Sequence, residues 1–105
     1  MTISPSDVVV WIGLGSNMGW ATDQVEEAIV ALTDEPGLEP TARSSLYRTA
    51  PMGHVAQPDF INAVVRASCG IGCYELLEVL QKIEKRFGRT RNGDRFGPRS
   101  LDLDL

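Results

Sequence analysis

Residues 8–14, which set the first element of the fold, read Val8-Val9-Val10-Trp11-Ile12-Gly13-Leu14. This run is continuously apolar and rich in β-branched residues, a pattern typical of a strand covered on both faces. The five residues that follow it are turn formers, so we interpret the local glycines as a tight turn that ends the strand. The glycine spacing misses the dinucleotide-binding fingerprint by one residue, and no Walker A loop is present.

Two helices are predicted further along the chain. Asp23, with Glu26 three positions later, has the spacing of an N-cap and its reciprocal partner, and apolar residues then recur at helical spacing until Pro36. An amphipathic pattern over residues 74–87 predicts the second helix, with Gly88 as its C-cap.

Strands are predicted over residues 41–49, 60–68 and 101–105, and a loop with two prolines separates the first two of them. The resulting order, β-α-β-β-α-β, is the ferredoxin-like arrangement. We therefore predict an α+β fold in a single domain spanning residues 1–105. In it, an antiparallel sheet carries both helices on one face, and its last strand is short.

Composition narrows the class of ligand. The chain has 105 residues, a hydrophobic fraction of 43% and a net charge of −4, but seven of its ten Lys and Arg residues lie between Lys82 and Arg99. A basic segment on an acidic protein suits a small anionic ligand better than a long polyanion, so we expect no nucleic-acid partner.

Location and cysteine usage lead to further expectations. No apolar run approaches the ~20 residues of a membrane span, and the first residues lack the features of a signal peptide. We expect a cytoplasmic monomer with no membrane partner. Cys69, Cys73 and His54 are too few for a structural zinc site, so both cysteines are predicted to be reduced thiols.

The end of the chain carries the clearest chemical signal. In an extended strand Asp102 and Asp104 project to the same face, while the leucines around them pack behind. Such a pair suits Mg²⁺, which binds through one or two carboxylates plus substrate phosphates. Four arginines just upstream could neutralise phosphate oxygens: Arg89, Arg91, Arg95 and Arg99.

Two further pairs of residues have less specific patterns. Phe60 and Asn62 share a strand face, where a ring and an amide could stack on and bond a flat heterocycle, although periodicity allows Phe60 to be a core residue equally well. Gln81 and Glu84 share a helix face opposite much of the leucine stripe, which favours a solvated surface.

Several segments of the chain resemble the 6-hydroxymethyl-7,8-dihydropterin pyrophosphokinase family of folate biosynthesis. The most specific of them has the pattern Arg-aromatic-Gly-Pro-Arg-x-Leu-Asp-Leu-Asp. Order and spacing agree from the region of Val8 to the last residue. The matching segments are residues 12–17, 45–53, 57–63, 88–91 and 95–104.

The resemblance implies an enzyme that transfers pyrophosphate from ATP to the pterin hydroxymethyl group and leaves AMP. It implies that Asp102 and Asp104 hold two Mg²⁺ ions. The implied pterin residues are Thr49, Met52, Phe60 and Asn62. The implied nucleotide contacts are Gln81, Glu84, Arg91, Phe96 and Arg99, with Arg89, Arg91 and Arg99 as catalytic arginines. Residues 88–98 would form a loop that closes over the reactants.

The resemblance also implies that the family continues well beyond Asp104. Two other interpretations stay open. The chain could be a truncated module that binds pterin or nucleotide without turnover. It could also be an RNA-binding module, since RNA recognition domains share the element order. Those domains carry an aromatic-rich signature on a sheet strand, and neither internal strand predicted for this chain shows it.

Overall fold

A computed structural model describes residues 7–18, 20–51, 56–87 and 101–105 of the chain. Within these ranges the chain forms five strands and two helices. Their bounds are β1 Val8–Ser16, α1 Ala21–Thr33, β2 Leu38–Arg43, β3 Tyr47–Thr49, β4 Phe60–Cys69, α2 Cys73–Arg86 and β5 Asp102–Asp104.

The strands form one antiparallel sheet in the order β2-β4-β1-β5, with β3 also paired to β4. If β2 and β3 are counted as one interrupted strand, this is the order of a ferredoxin-like sheet, so the predicted fold class is confirmed. Strand β1 is central: it pairs with β4 along its whole length and with β5 near its end.

The hydrophobic core lies on one face of the sheet, beneath the two helices. Alternate residues of β1 and β4 face it, as the two-residue period of a strand requires. Its main members are Ile12, Leu14, Val25, Ala28, Leu32, Ala63, Val65, Ala67, Leu76, Leu80, Ile83, Leu101 and Leu103.

The other face of the sheet, which we call the open face, carries no helix among the described residues. Val9 and Trp11 of β1 point to it and are 59% and 58% exposed. Arg66 of β4 stacks over the Trp11 ring, with its guanidinium carbon 5.8 Å from the ring centroid. The prediction that β1 is covered on both faces is therefore wrong, because Val9 and Trp11 on the second face are largely exposed.

The strand predicted over residues 41–49 begins earlier and is split into β2 and β3. A register shift occurs between Pro40 and Ala42, and pairing with β4 stops after Arg43. At the break, Ser44 accepts a hydrogen bond from the Val64 N–H through its side chain and donates its own N–H to the Val64 carbonyl. Pro40 has no N–H to donate at the register shift, and at the break the Ser44 hydroxyl takes the place of a backbone acceptor.

The helix ends differ from the predicted ones by a few residues. Helix α1 begins at Ala21, two residues before the predicted cap Asp23, and Glu26 instead forms a bidentate ion pair with Arg43 of β2. That hydrogen bond lowers the pKa of Glu26. Helix α2 ends at Arg86, and the predicted cap Gly88 lies outside the described residues. Neither of these helices is long and apolar enough to cross a membrane.

Gly37, in the turn between α1 and β2, has a φ of +80°, and a Cβ atom there would lie 2.6 Å from Ile71 Cγ2. Gly37→Ala is expected to lower the free energy of unfolding by about 1–2 kcal/mol, because L-residues are strained at positive φ. Urea denaturation measures the loss. Gly37→Asn places the same Cβ atom against Ile71, so it should also lower the midpoint, and an unchanged midpoint in the alanine variant would contradict the assignment.

Candidate active site

The two aspartates of β5 lie on the open face of the sheet. Leu103 between them is 7% exposed and packs into the core, so strand alternation turns both carboxylates to the opposite side. Asp102 is half-buried and Asp104 is exposed. The leucines that were expected to pack behind them do so in part: Leu101 and Leu103 are buried, whereas Leu105 is 55% exposed.

Gly13 and Gly15 lie inside β1, between the aspartates and β4, and the interpretation of Gly15 as a turn residue is wrong. In register, Gly15 lies between Asp102 and Asn62, and Gly13 lies between Asp104 and Val64. The open face therefore has no side chain between β4 and β5 at these two levels. Since neighbouring strands are about 4.8 Å apart, the β4 and β5 backbones flank a floor roughly 9–10 Å wide.

Close approach explains why glycine suits position 15. A Cβ atom built there would lie 3.0 Å from Asn62 Oδ1, so a larger residue would force the Asn62 amide to move. The glycine-rich end of β1 thus forms the floor of a polar trough, with the Asn62 amide on one side and the Asp102 carboxylate on the other.

Three of the four predicted pterin residues come together at the β3–β4 edge. Thr49 pairs with Phe60 in register, and the Asn62 amide donates a hydrogen bond to Thr49 Oγ1 at 2.8 Å. Phe60 shares the open face with Asn62 by strand alternation, and both are half-buried. The fourth residue, Met52, lies outside the described residues.

Asn17 is a structural residue of this site that the sequence analysis missed. It follows β1, is fully buried, and donates from Nδ2 to Gln57 Oε1 at 2.6 Å and to the Pro58 carbonyl at 3.2 Å. These bonds tie the end of β1 to the segment that leads into Phe60. A polar residue at the end of an apolar run was the available signal, but its partners are about forty residues away in sequence.

Asn17→Ala is expected to lower the free energy of unfolding by about 1–3 kcal/mol, because it removes a fully buried amide together with its hydrogen bonds to Gln57 Oε1 and the Pro58 carbonyl. Urea denaturation gives the loss in stability. Gln57→Ala removes one of the two bonds and should cost less. If Asn17→Ala unfolds at the wild-type midpoint, the two hydrogen bonds donated by Asn17 do not contribute measurably to stability.

The solvated-surface interpretation of the pair on α2 is correct for Gln81 and wrong for Glu84. Gln81 is exposed. Glu84 is 6% exposed, and its Oε2 atom accepts a hydrogen bond of 2.9 Å from the Leu103 N–H, in the middle of β5. Helix periodicity gave the position of Glu84 on α2 but not the packing of β5 against that position.

The predicted residues of the arginine-rich segment all lie outside the described residues. They are Arg89, Arg91, Arg95, Phe96 and Arg99, together with the closing loop predicted over residues 88–98. Their assignment as nucleotide and catalytic residues stays a prediction from the resemblance.

The donor set on β5 fits Mg²⁺ better than a transition metal. Within the described ranges no group of three or more His, Cys, Asp and Glu side chains converges, so two carboxylates are what the scaffold offers there. Mg²⁺ commonly keeps several waters and takes one or two carboxylates plus substrate phosphates, so this pair is sufficient.

Both cysteines are free thiols, at positions 69 and 73.

Comparison with known proteins agrees with these features. Residues 11–105 match the family described as 7,8-dihydro-6-hydroxymethylpterin-pyrophosphokinase (HPPK). A folate synthesis bifunctional protein of Arabidopsis thaliana is 46% identical over 96 residues, which cover 91% of this chain and 20% of that protein. The 2-amino-4-hydroxy-6-hydroxymethyldihydropteridine pyrophosphokinase of Bacillus subtilis is 38% identical over 97 residues, which cover 92% of this chain and 58% of that protein.

The matching enzyme of Haemophilus influenzae is 36% identical over 98 residues, which cover 93% of this chain and 61% of that protein. The chain thus spans about three fifths of these bacterial relatives and a fifth of the plant protein. The family match covers nearly all of the chain, from the fourth residue of the central strand onward. This chain belongs to the 7,8-dihydro-6-hydroxymethylpterin-pyrophosphokinase family.

Proposed function

We propose that this chain carries out the Mg²⁺-dependent transfer of pyrophosphate from ATP to 6-hydroxymethyl-7,8-dihydropterin, with release of AMP. The family membership supports the reaction class. The observation that carries the proposal is the row Asn62–Gly15–Asp102 across three strands, which sets an amide suited to a heterocycle opposite a carboxylate suited to a metal.

The pterin end of the trough lies at β3 and β4. Asn62 presents an amide with both donor and acceptor groups, which matches the alternating donors and acceptors of a pyrimidine edge. Its bond to Thr49 fixes the amide orientation, and Phe60 offers a ring for stacking. Met52 would complete this pocket from the preceding loop. Together these residues would hold the pterin with its hydroxymethyl arm toward β5.

The phosphate end lies at β5. Asp102 and Asp104 would hold Mg²⁺, which when bound neutralises charge on the triphosphate and helps to align it. Gln81, exposed on α2, would contact the nucleotide, and Arg91, Phe96 and Arg99 are proposed for the same role. Arg89, Arg91 and Arg99 would stabilise the negative charge that develops on the phosphates in the transition state.

The chemistry asks the protein mainly for alignment. The pterin hydroxymethyl oxygen attacks the β-phosphorus of ATP, the bond from that phosphorus to the oxygen bridging the α-phosphate breaks, and AMP leaves while the hydroxyl proton is lost to solvent. Positioning and charge neutralisation dominate such transfers. A sheet that carries the two groups on β4 and β5, the strands on either side of β1, meets the need for alignment.

The test is AMP formation from ATP and Mg²⁺ by residues 1–105, with and without 6-hydroxymethyl-7,8-dihydropterin. Pterin-dependent AMP would support the proposal. Pterin binding in calorimetry without AMP release would favour the alternative, a binding module of the same family. Loss of both would overturn the functional assignment for this chain.

We further propose small-molecule partners only, on the basis of the acidic balance of the chain, and a monomeric state. Sedimentation at a mass of 11.5 kDa would agree with a monomer. The name of the pea relative describes that protein as mitochondrial, so a cytoplasmic location of this chain stays a prediction.

A further inference from the structure

Glu84 is buried in a place where a carboxyl group is costly. Its neighbours on the same side of α2, Leu80 and Ile83, are core residues that are 2% and 0% exposed, and Glu84 itself is 6% exposed. A buried polar group lowers stability unless it is hydrogen-bonded, so an apolar residue would suit this helix face better on packing grounds alone. The position therefore requires a reason other than packing.

The hydrogen bond to Leu103 supplies that reason. Strand β5 is the last strand in the sheet order and pairs with β1 on one side. In an antiparallel pair successive backbone N–H groups point alternately toward the partner strand and away from it. The Leu103 N–H bonds to Glu84 Oε2 on α2 at 2.9 Å, so the helix provides the partner that a further strand would otherwise provide.

This bond acts at the centre of the proposed metal site. Leu103 lies between Asp102 and Asp104, and β5 is three residues long, so its strand pairing in the described part of the chain is a short ladder with β1. Mg²⁺ demands near-ideal octahedral geometry, so a small shift in either carboxylate would weaken binding. A second attachment, from the helix, fixes β5 from its other edge.

We propose that Glu84 is a positioning residue of the metal site: its carboxyl group holds the Leu103 backbone and thereby keeps Asp102 and Asp104 in register. The proposal rests on the proposed function in that it assumes a metal at β5. It assigns Glu84 a role different from the nucleotide contact that the family resemblance implies.

Three variants separate these roles. Glu84→Gln keeps an oxygen acceptor at the same reach. Glu84→Leu removes the acceptor and introduces an apolar side chain of similar bulk, which preserves core packing. Glu78→Ala, at an exposed position on the same helix, is the matched control for loss of a carboxylate from α2.

The first readout is hydrogen–deuterium exchange of the Leu103 amide, measured by NMR on the 105-residue chain without nucleotide. We expect exchange to accelerate about tenfold or more in Glu84→Leu, and to stay near the wild-type rate in Glu84→Gln and Glu78→Ala. The second readout is a Mg²⁺ titration followed at the Asp102 and Asp104 resonances. The apparent Mg²⁺ dissociation constant should rise about 10–100-fold in Glu84→Leu only.

Either of two results would overturn the proposal. One is unchanged Leu103 exchange and Mg²⁺ affinity in Glu84→Leu. The other is a raised KM for ATP in both Glu84 variants with no change in Mg²⁺ affinity, which would indicate a nucleotide contact. Neither NMR readout requires turnover. A chain that forms no AMP would therefore contradict the proposed function and leave the test of Glu84 decisive.

Discussion

Asp102→Asn and Asp104→Asn are each expected to lower pterin-dependent AMP formation about a thousandfold at saturating ATP and pterin, because metal stabilisation of the transition state supplies several kcal/mol. Asparagine is nearly the same size and shape as aspartate but lacks the charge that holds Mg²⁺. Raising the Mg²⁺ concentration should restore part of the rate if one carboxylate still binds. The measurement is the AMP release rate as a function of Mg²⁺ concentration.

The aspartate variants should keep the fold. Asp102 is half-buried and Asp104 is exposed, while Leu103 supplies the core contact of β5. The circular dichroism spectrum and the unfolding midpoint are therefore expected to stay close to wild type. Glu27→Gln, at an exposed position on α1 on the helical side of the sheet, is the matched charge control and should keep full activity. Wild-type rates in both aspartate variants would remove the metal assignment.

Asn62→Ala is expected to weaken pterin binding by about 10–100-fold and ATP binding far less. Without the Asn62 amide, polar groups of the bound heterocycle would lose their hydrogen-bond partners, which costs about 1–3 kcal/mol of binding free energy. Asn62→Asp tests the same point at constant shape, because it replaces the amide donor with an acceptor. Isothermal calorimetry with each ligand separately gives the two dissociation constants.

A control for Asn62 is available on the same strand face. Arg66→Ala removes an exposed side chain four residues along β4, where it stacks on Trp11 and lies away from the trough. We expect this variant to bind pterin as wild type does. If Asn62→Ala weakened pterin and ATP equally, Asn62 would be acting on the sheet as a whole and not as a pterin contact.

The element order was predictable from local pattern. Apolar periodicity located three of the four long elements that form the core, β1, β4 and α2, to within two residues at each end. The ends of α1 were less accurate, because helix α1 begins at Ala21 without a side-chain cap, so the capping pattern at Asp23 and Glu26 was misleading. The break between β2 and β3 depends on how Ser44 bonds to Val64 on another strand, which no local pattern records.

The candidate site was likewise predictable only in part from the sequence. The Asp-x-Asp spacing predicts two carboxylates on one face of a strand, and alternation about Leu103 gives that arrangement. By contrast, the roles of Gly15 and Asn17 depend on partners in β4, in β5 and in the segment before β4. Residues so far apart in sequence leave no periodic signal, and this is why Gly15 was interpreted as a turn residue and Asn17 was missed.

By itself the sequence determined the ferredoxin-like order and the family, and it predicts the type of chemistry, because strand and helix periods and a specific motif are local properties of the chain. Only the tertiary structure decided which face of the sheet stays open, that Gly13 and Gly15 form its floor, and that Glu84 is buried against β5. The physical reason is that burial and hydrogen-bond partners belong to pairs of elements. Their packing is set by the whole fold and not by either segment alone.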